Sequence, residues 1–370
     1  MRRYWICDTR TGAKEVEVKP SAGSFRRVLC GSGSGEHTFR LGFGKRTRDQ
    51  WRALTRPWAR SIVIEEAGVV IYAGLIAKRK HRWKVWSFTI SHVDMRELFR
   101  RRFPFGVKSY WSDEAASIPG RMVIEGKSQR AVVGKIMEQS LLGPYDTYSL
   151  PIVYPDVNEA GPVSVTYENY LLRSTFDLFE DIQDLDGGPD IDFIPRWSAA
   201  GTLEWVLDVA TPAQPHIVKG LKPFNMTVPI PRFTELTYEE DATDQLTGIF
   251  SVGAGSEVDM KVGGSGAGPG ASIPAMDIVE THKSESDQSV LASLSTAGRA
   301  TLEHPTIQIG MSMLETKRYN LATMPVGTMV PLNFLDEAWI PDGVLDLRII
   351  QFSGDMSAKV SFETQPLVGV

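Results

Sequence analysis

Residues 61–102 read SIVIEEAGVVIYAGLIAKRKHRWKVWSFTISHVDMRELFRRR, and the fold follows from this stretch. Ile62, Val63 and Ile64 open it as a strand over 61–66. Residues 69–77, rich in Val, Ile and Tyr, form a second strand. In 83–90, Trp83, Val85, Ser87 and Thr89 alternate with Lys84, Trp86, Phe88 and Ile90, which predicts a third. β-Branched and aromatic residues with a period of two suit a pleated, partly buried ribbon. Glu66-Ala67-Gly68 is short and glycine-bearing, as a tight hairpin turn requires. Residues 78–82 carry too much charge for a core and read as a link. At Asp94 the pattern changes: its carboxylate can cap a short helix through Met95, Leu98 and Phe99, which Pro104 stops. The unit is a three-stranded antiparallel meander ending in a basic helix.

The order of these pieces is residues 62–66, Gly68, Tyr72-Ala73-Gly74-Leu75-Ile76, residues 86–90, Asp94 and residues 98–102. It resembles the N-terminal domain of tail hub (minor tail, baseplate hub) proteins of long-tailed bacteriophages. A second match lies downstream. A helix from about 169 to 185 precedes Gly188-Pro189-Asp190, a strand over 190–197, a turn at Ala199-Ala200-Gly201 and a Trp-bearing strand over 202–209. The middle of phage hub proteins, an α/β domain, is similar in this order.

The chain has 370 residues, 42% hydrophobic and 23% charged. That is a folded, water-compatible composition spread over several domains. No apolar run reaches the roughly 20 residues that span a bilayer, and the start turns polar too soon for a secretory signal, so assembly in a cytoplasm is expected. Cys7 and Cys30 fit no metal spacing or disulfide framework and read as reduced core thiols. Residues 1–110 hold 24 Lys and Arg against 9 Asp and Glu, a net +15, whereas the remaining 260 hold 16 against 36, a net −20. Such a split suggests charge-complementary contact between subunits or with another partner. A nucleic-acid contact is the competing reading, since Trp51, Trp58, Trp83 and Trp86 interleave with arginines and could stack on bases. They also fall at core-like positions, and no recognised nucleic-acid module is present.

Along the rest of the chain, residues 4–8 and 15–18 read as a hairpin about Thr11-Gly12, and 24–29 and 37–41 as strands joined by a flexible Gly/Ser run. Thr47-x-x-Gln50 is a capping box for a helix with Trp51 and Leu54. Ser128 caps an amphipathic helix carrying Val132, Val133, Ile136, Met137 and Leu141, ended by Gly143-Pro144. Residues 103–120 read as a connector, 251–270 as a mobile Gly-rich loop, and Ser286 as the cap of a helix to about 302. Strands at 306–314, 328–334, 344–352 and 359–363 close the chain. The resulting expectation is an α+β, mostly β chain of three domains. These are an N-terminal β-barrel (1–108), an α/β middle domain with two amphipathic helices (109–225) and a second β-barrel (226–370), the two barrels being tube-like as in ring-forming hubs.

No catalytic constellation survives inspection. None of the six histidines lies in H-E-x-x-H or at metal-ligand spacing, and no G-x-S-x-G occurs. Asp181, Asp184, Asp186, Asp190 and Asp192 fail an EF-hand register and suit helix-end and turn chemistry. Glu65 with Glu66, or Glu239, Glu240 and Asp241, form carboxylate pairs better explained as solvated tips. No cofactor or metal and no enzymatic activity are expected.

The resemblance implies a structural virion protein: the tail hub at the tail tip of a siphovirus-like, non-contractile phage, a homotrimer. It would join the tail tube and distal tail protein to tip fibres and other minor tail proteins. Its lumen would pass the tape measure protein and DNA, without specific DNA binding, during genome ejection. Subunit contacts would be head-to-tail, with Arg100, Arg101 and Arg102 as interface candidates. The alternative is a tail-associated cell-wall-degrading enzyme or a carbohydrate-binding adsorption module.

Overall fold

The computed structural model describes residues 2–42, 46–105, 120–143, 145–185, 187–266, 273–283 and 285–366. Pro144, Asp186, most of the expected connector and the end of the expected Gly-rich loop lie outside them. The first strands are β1 (Arg2–Asp8), β2 (Lys14–Val18), β3 (Ala22–Val28) and β4 (Ser34–Arg40). Helix α1 (Arg48–Leu54) follows, then β5 (Arg60–Glu66), β6 (Val69–His81) and β7 (Ser87–Val93). The capping box on α1 is present: Gln50 N donates to Thr47 Oγ1, and Thr47 N to Gln50 Oε1. Ala67 (φ 50°) and Gly68 (φ 85°) both take the left-handed conformation of a two-residue type I′ turn. Asp94 caps Arg96 N, as expected, but the turn it opens, Met95–Arg101, is a 3₁₀ helix.

A middle layer follows: β8 (Arg121–Lys127), α2 (Gln129–Leu141), β9 (Ile152–Val153), β10 (Val163–Glu168), α3 (Thr175–Gln183), β11 (Ile191–Trp197) and β12 (Leu203–Val209). The long helix expected from 169 is broken. Leu172 adopts φ 50°, and Ser174 with Asp177 forms a capping box that starts α3 afresh. The last third contains β13 (Phe224–Asn225), β14 (Thr234–Asp241), β15 (Gly248–Val252), β16 (Val262–Gly266), β17 (Asp277–Thr281), α4 (Gln288–Leu302), β18 (Thr306–Leu314), β19 (Leu332–Phe334), β20 (Gly343–Leu345), β21 (Leu347–Asp355) and β22 (Lys359–Pro366). Asp287, not Ser286, caps α4. β15 and β16 run through the stretch expected to be a mobile loop. Its glycines serve packing: a Cβ on Gly263 would lie 2.4 Å from the Ala292 nitrogen, so α4 rests directly on β16.

Strand dominates, as expected, but the two barrels do not appear as separate closed sheets among the described residues. Eleven strands form one ladder instead, in the order β14-β18-β22-β21-β3-β4-β7-β6-β5-β1-β2. The seam is β3–β21, where Val28 pairs with Gln351 and Ser24 with Asp355. The ladder curls, since Tyr4 of β1 packs edge-on to His37 of β4 at 5.3 Å. Period-two patterning in each strand cannot reveal which edges join, and this is why sequence suggested two units.

One face of the ladder is a single apolar core running from Tyr4, Ile6 and Phe25 to Met311, Phe352 and Phe362. The other face divides. Over β5 and β6 it is covered by α2, α3, β11 and β12, which bury Val63, Val70, Ala73 and Leu75 from that side. Buried on both faces, β5 and β6 read as continuous apolar runs rather than alternating ones. From β7 to β18 the same face carries hydroxyls. Thr38 and Thr89 lie 2.9 Å apart through their Oγ1 atoms, Ser312 and Ser361 2.9 Å apart, and Ser91 donates to Glu36 at 2.8 Å.

A buried charge cluster joins these parts. Arg27 donates to Asp94 Oδ2 (3.1 Å), to Asp192 Oδ2 (2.6 Å) and to the Phe193 carbonyl (2.6 Å). Arg96 donates to the Ile191 carbonyl (3.1 Å) and Gln183 (2.5 Å). Arg348 of β21 pairs with Asp190, which also accepts from Ile217 N at 2.8 Å. Asp192 is therefore a buried ion-pair partner and Asp190 a part-buried one.

Candidate interaction surfaces

The strand expected over 83–90 begins later, and the expected charged link is strand. β6 runs on through Lys78, Arg79, Lys80 and His81, and the chain turns at Arg82–Val85 before β7 starts at Ser87. Every residue from 78 to 86 is exposed, so the tip projects beyond the core that supports the hairpin base. It holds five cations, no acid, and Trp83 and Trp86 at 80% and 76% exposure. Lys84, at φ 62°, places its ammonium 4.4 Å from the Trp83 ring centroid. The tip is anchored by Leu41 N donating to the Trp86 carbonyl (2.8 Å), and by Arg79 donating to the Arg52 carbonyl of α1 (2.8 Å). The four tryptophans thus separate: Trp51 is buried against Phe39 and Phe88, Trp58 is half-buried, and Trp83 and Trp86 are bare.

The second surface lies at the β14 edge. A groove of about 600 Å³ has Phe233, Tyr238, Phe334 and Ile340 in its lining, with Leu335 and Trp339 exposed along it. Glu235 and Glu337 also line it, and no Lys or Arg does. Asp336, Glu239, Glu240 and Asp241 are exposed nearby. Among the described residues β14 pairs with β18 alone, and a bulge between Thr234 and Thr237 distorts its register. Charge and a bulge are what protect an edge strand from indiscriminate pairing.

The three interface candidates differ in placement. Arg100 is exposed, pairs with Glu97 at 3.2 Å and covers the Phe176 ring. Arg101 is exposed over Trp58. Arg102 reaches inward to the carbonyls of Ser140, Tyr148 and Thr147 (3.4, 3.1 and 3.2 Å), and burial lowers its pKa.

The carboxylates Glu65 and Glu66, expected at a solvated tip, are buried: Glu65 Oε2 accepts from Trp5 Nε1 (3.2 Å) and Trp197 Nε1 (3.0 Å). Burial, with Glu315 nearby, raises the pKa of Glu66. The middle layer covers this hairpin end, which its local sequence could not show. His37 and His92 stack in the core, with His37 Nδ1 2.9 Å from His92 Nε2 and Tyr72 Oη 2.9 Å from His92 Nδ1. Burial holds His37 down at about 4 and His92 well below its usual value. Among the described residues, no group of three or more His, Cys, Asp or Glu could hold a metal ion, and no helix is long and apolar enough to cross a membrane.

This fold is similar to that of solved tail proteins. The 43 kDa tail protein of prophage MuSo2 from Shewanella oneidensis superposes with a TM-score of 0.58 at 8% identity, over 98% of each chain. The fold is thus one shared with a solved phage tail protein. A tail protein from Neisseria meningitidis MC58 gives 0.54 at 14% identity, over 98% of this chain and 96% of that one. A chain of the half-lidded Francisella PdpA-VgrG complex gives 0.51 at 10% identity, over all of this chain and 59% of that one. No protein-family model and no curated protein matches the sequence.

Proposed function

We propose that this chain is a structural component of a phage tail, working at the tail tip as a hub that joins tail tube and distal tail ring to the tip fibres. The observation that carries this reading is the large open sheet, with one face a dry core and the other a hydroxyl-lined wall. The wall's concavity, about 800 Å³, is lined by Arg26, Glu36, Ser91, Asp355 and Ser361 among others, and a polar wall of this kind suits a surface facing water and passing macromolecules better than the mostly apolar site that holds a small ligand. In this reading three copies, each contributing segments 1–108, 109–225 and 226–370, enclose a lumen for the tape measure protein and DNA. The tube then belongs to the ring, formed by open sheets side by side. Such contacts are head-to-tail, because an isologous contact closes at two copies. Exposed Arg100 and Arg101 are candidates for the subunit boundary, whereas Arg102 serves within its own chain. The fold likeness to solved tail proteins supports the reading.

Light scattering across concentration and salt tests it. A species at three times 41.0 kDa is expected, and a strict monomer, even with the tail tube and distal tail proteins added, would count against it. A carbohydrate-binding module has less support. Trp83 and Trp86 sit on a turn and Trp339 beside another edge, so they form no row on one sheet face.

A further inference from the structure

The basic tip and the acidic groove are both bare in the single chain, Trp83 and Trp339 being 80% and 76% exposed. Their chemistry is reciprocal. The tip presents two indole rings and Val85 within a collar of Lys78, Arg79, Lys80, Arg82 and Lys84. The groove offers an aromatic and aliphatic floor flanked by Glu337 and Asp336 and by Glu235, the last already paired with Lys359 at 2.5 Å, with no cation in its lining. Tryptophan and arginine seated in an apolar site are the groups that dominate protein interfaces, and opposite charge around them steers and orients the encounter. We propose that the tip of the β6–β7 hairpin in one copy docks into the β14-edge groove of the next copy. The inference rests on the ring reading above and names its contact.

The occupant is a second copy for two reasons. The tip's excess of cations is matched by acids on the same polypeptide, in line with the +15 and −20 split of the sequence. The tip is also convex and exposed on both sides, whereas a single-stranded nucleic acid is held in a groove that tracks its backbone. A tip meeting a groove is a heterologous contact, so it propagates from copy to copy and closes only as a ring.

Sedimentation of the whole chain over a concentration series in low salt tests the contact. The charge-reversed tip (K80E, R82E and K84E together) and the charge-reversed groove (E240K, D336K and E337K together, Glu240 lying on the Tyr238 face of β14) should each weaken association about 100-fold, because like charges then face each other. The chain carrying all six changes should regain it, which also shows that the reversals leave the fold intact. W83A with W86A should weaken association with net charge unchanged. If the wild type assembles and either triple variant assembles equally well, or the six-fold variant fails to recover, the tip–groove contact is wrong while the ring reading stands. A wild type that stays monomeric throughout overturns the tip–groove contact, and one that also stays monomeric with the tail tube and distal tail proteins added overturns the ring reading as well. A charge-reversed tip that keeps assembly but loses binding to oligothymidylate overturns the contact and makes the tip a nucleic-acid surface.

Discussion

Arg27 shows how much of this molecule turns on single buried charges. Its guanidinium is 3% exposed and bridges β3, the Asp94 cap and β11. Removing one partner of a buried pair strands the others, at a cost of about 3–5 kcal/mol. Arg27→Met should therefore lower unfolding stability by about that amount in urea titrations, and a loss below about 1 kcal/mol would refute the assignment. Acid sensitivity follows from neighbouring residues. The unfolded chain protonates His37 near 6.5, the folded chain only at about 4, so stability falls as pH drops through that window. The slope is about 1.4 kcal/mol per pH unit at its steepest, and His92 adds in the same direction. Asp94 opposes them. Burial pushes its carboxyl up to about 6 from 3.8, so the folded chain takes a proton first and gains stability between those values on acidification. Asp94→Asn should thus steepen the loss of stability between pH 6 and 4, and an unchanged slope would show that Asp94 does not titrate there. The sequence gives no warning of Arg27: one arginine in SFRRV is buried and its neighbour is not, and only the partner strand decides which.

At the scale of elements, the local signals that proved sound are those whose physics is local. The Thr47 capping box, the Asp94 cap and the Glu66-Ala67-Gly68 turn are each settled within four residues. The turn permits a further test. Ala67 occupies a left-handed position that asparagine tolerates better. Ala67→Asn should raise stability by about 0.5–1 kcal/mol, read as a higher urea midpoint at unchanged slope, and a lower midpoint would rule out the type I′ assignment. The features that misled are those decided at a distance. Residues 78–81 are too charged for a core but remain strand because β7 supplies a ladder, with Arg79 opposite Ile90 and His81 opposite Phe88. The glycines of β16 look like loop until α4 is laid on them. The tip and groove were invisible because exposure, not composition, defines them: Trp51 and Trp83 are alike in sequence and opposite in structure.

At the scale of the molecule, the mostly β class and the likeness to tail proteins were legible in the order of elements, whereas the single ladder was not. Seven strands from the first quarter of the chain and four from beyond residue 233 share one core. Association through the tip should weaken with salt, since charges at an exposed rim are screened within about 8 Å at physiological ionic strength. A mass that is the same at about 50 mM and 500 mM salt would argue for a contact made without those charges.

The β3–β21 seam also bears on how the chain is made. β3 finds its partner only when residues beyond 350 have been synthesised, so a nascent chain carries an open β3 edge through nearly the whole of translation. Pairing at such separation is slow to form, and unpaired edges invite association with the wrong neighbour. Ribosome-bound fragments ending before β21 should accordingly engage holding chaperones or aggregate, and productive folding should be a post-translational event.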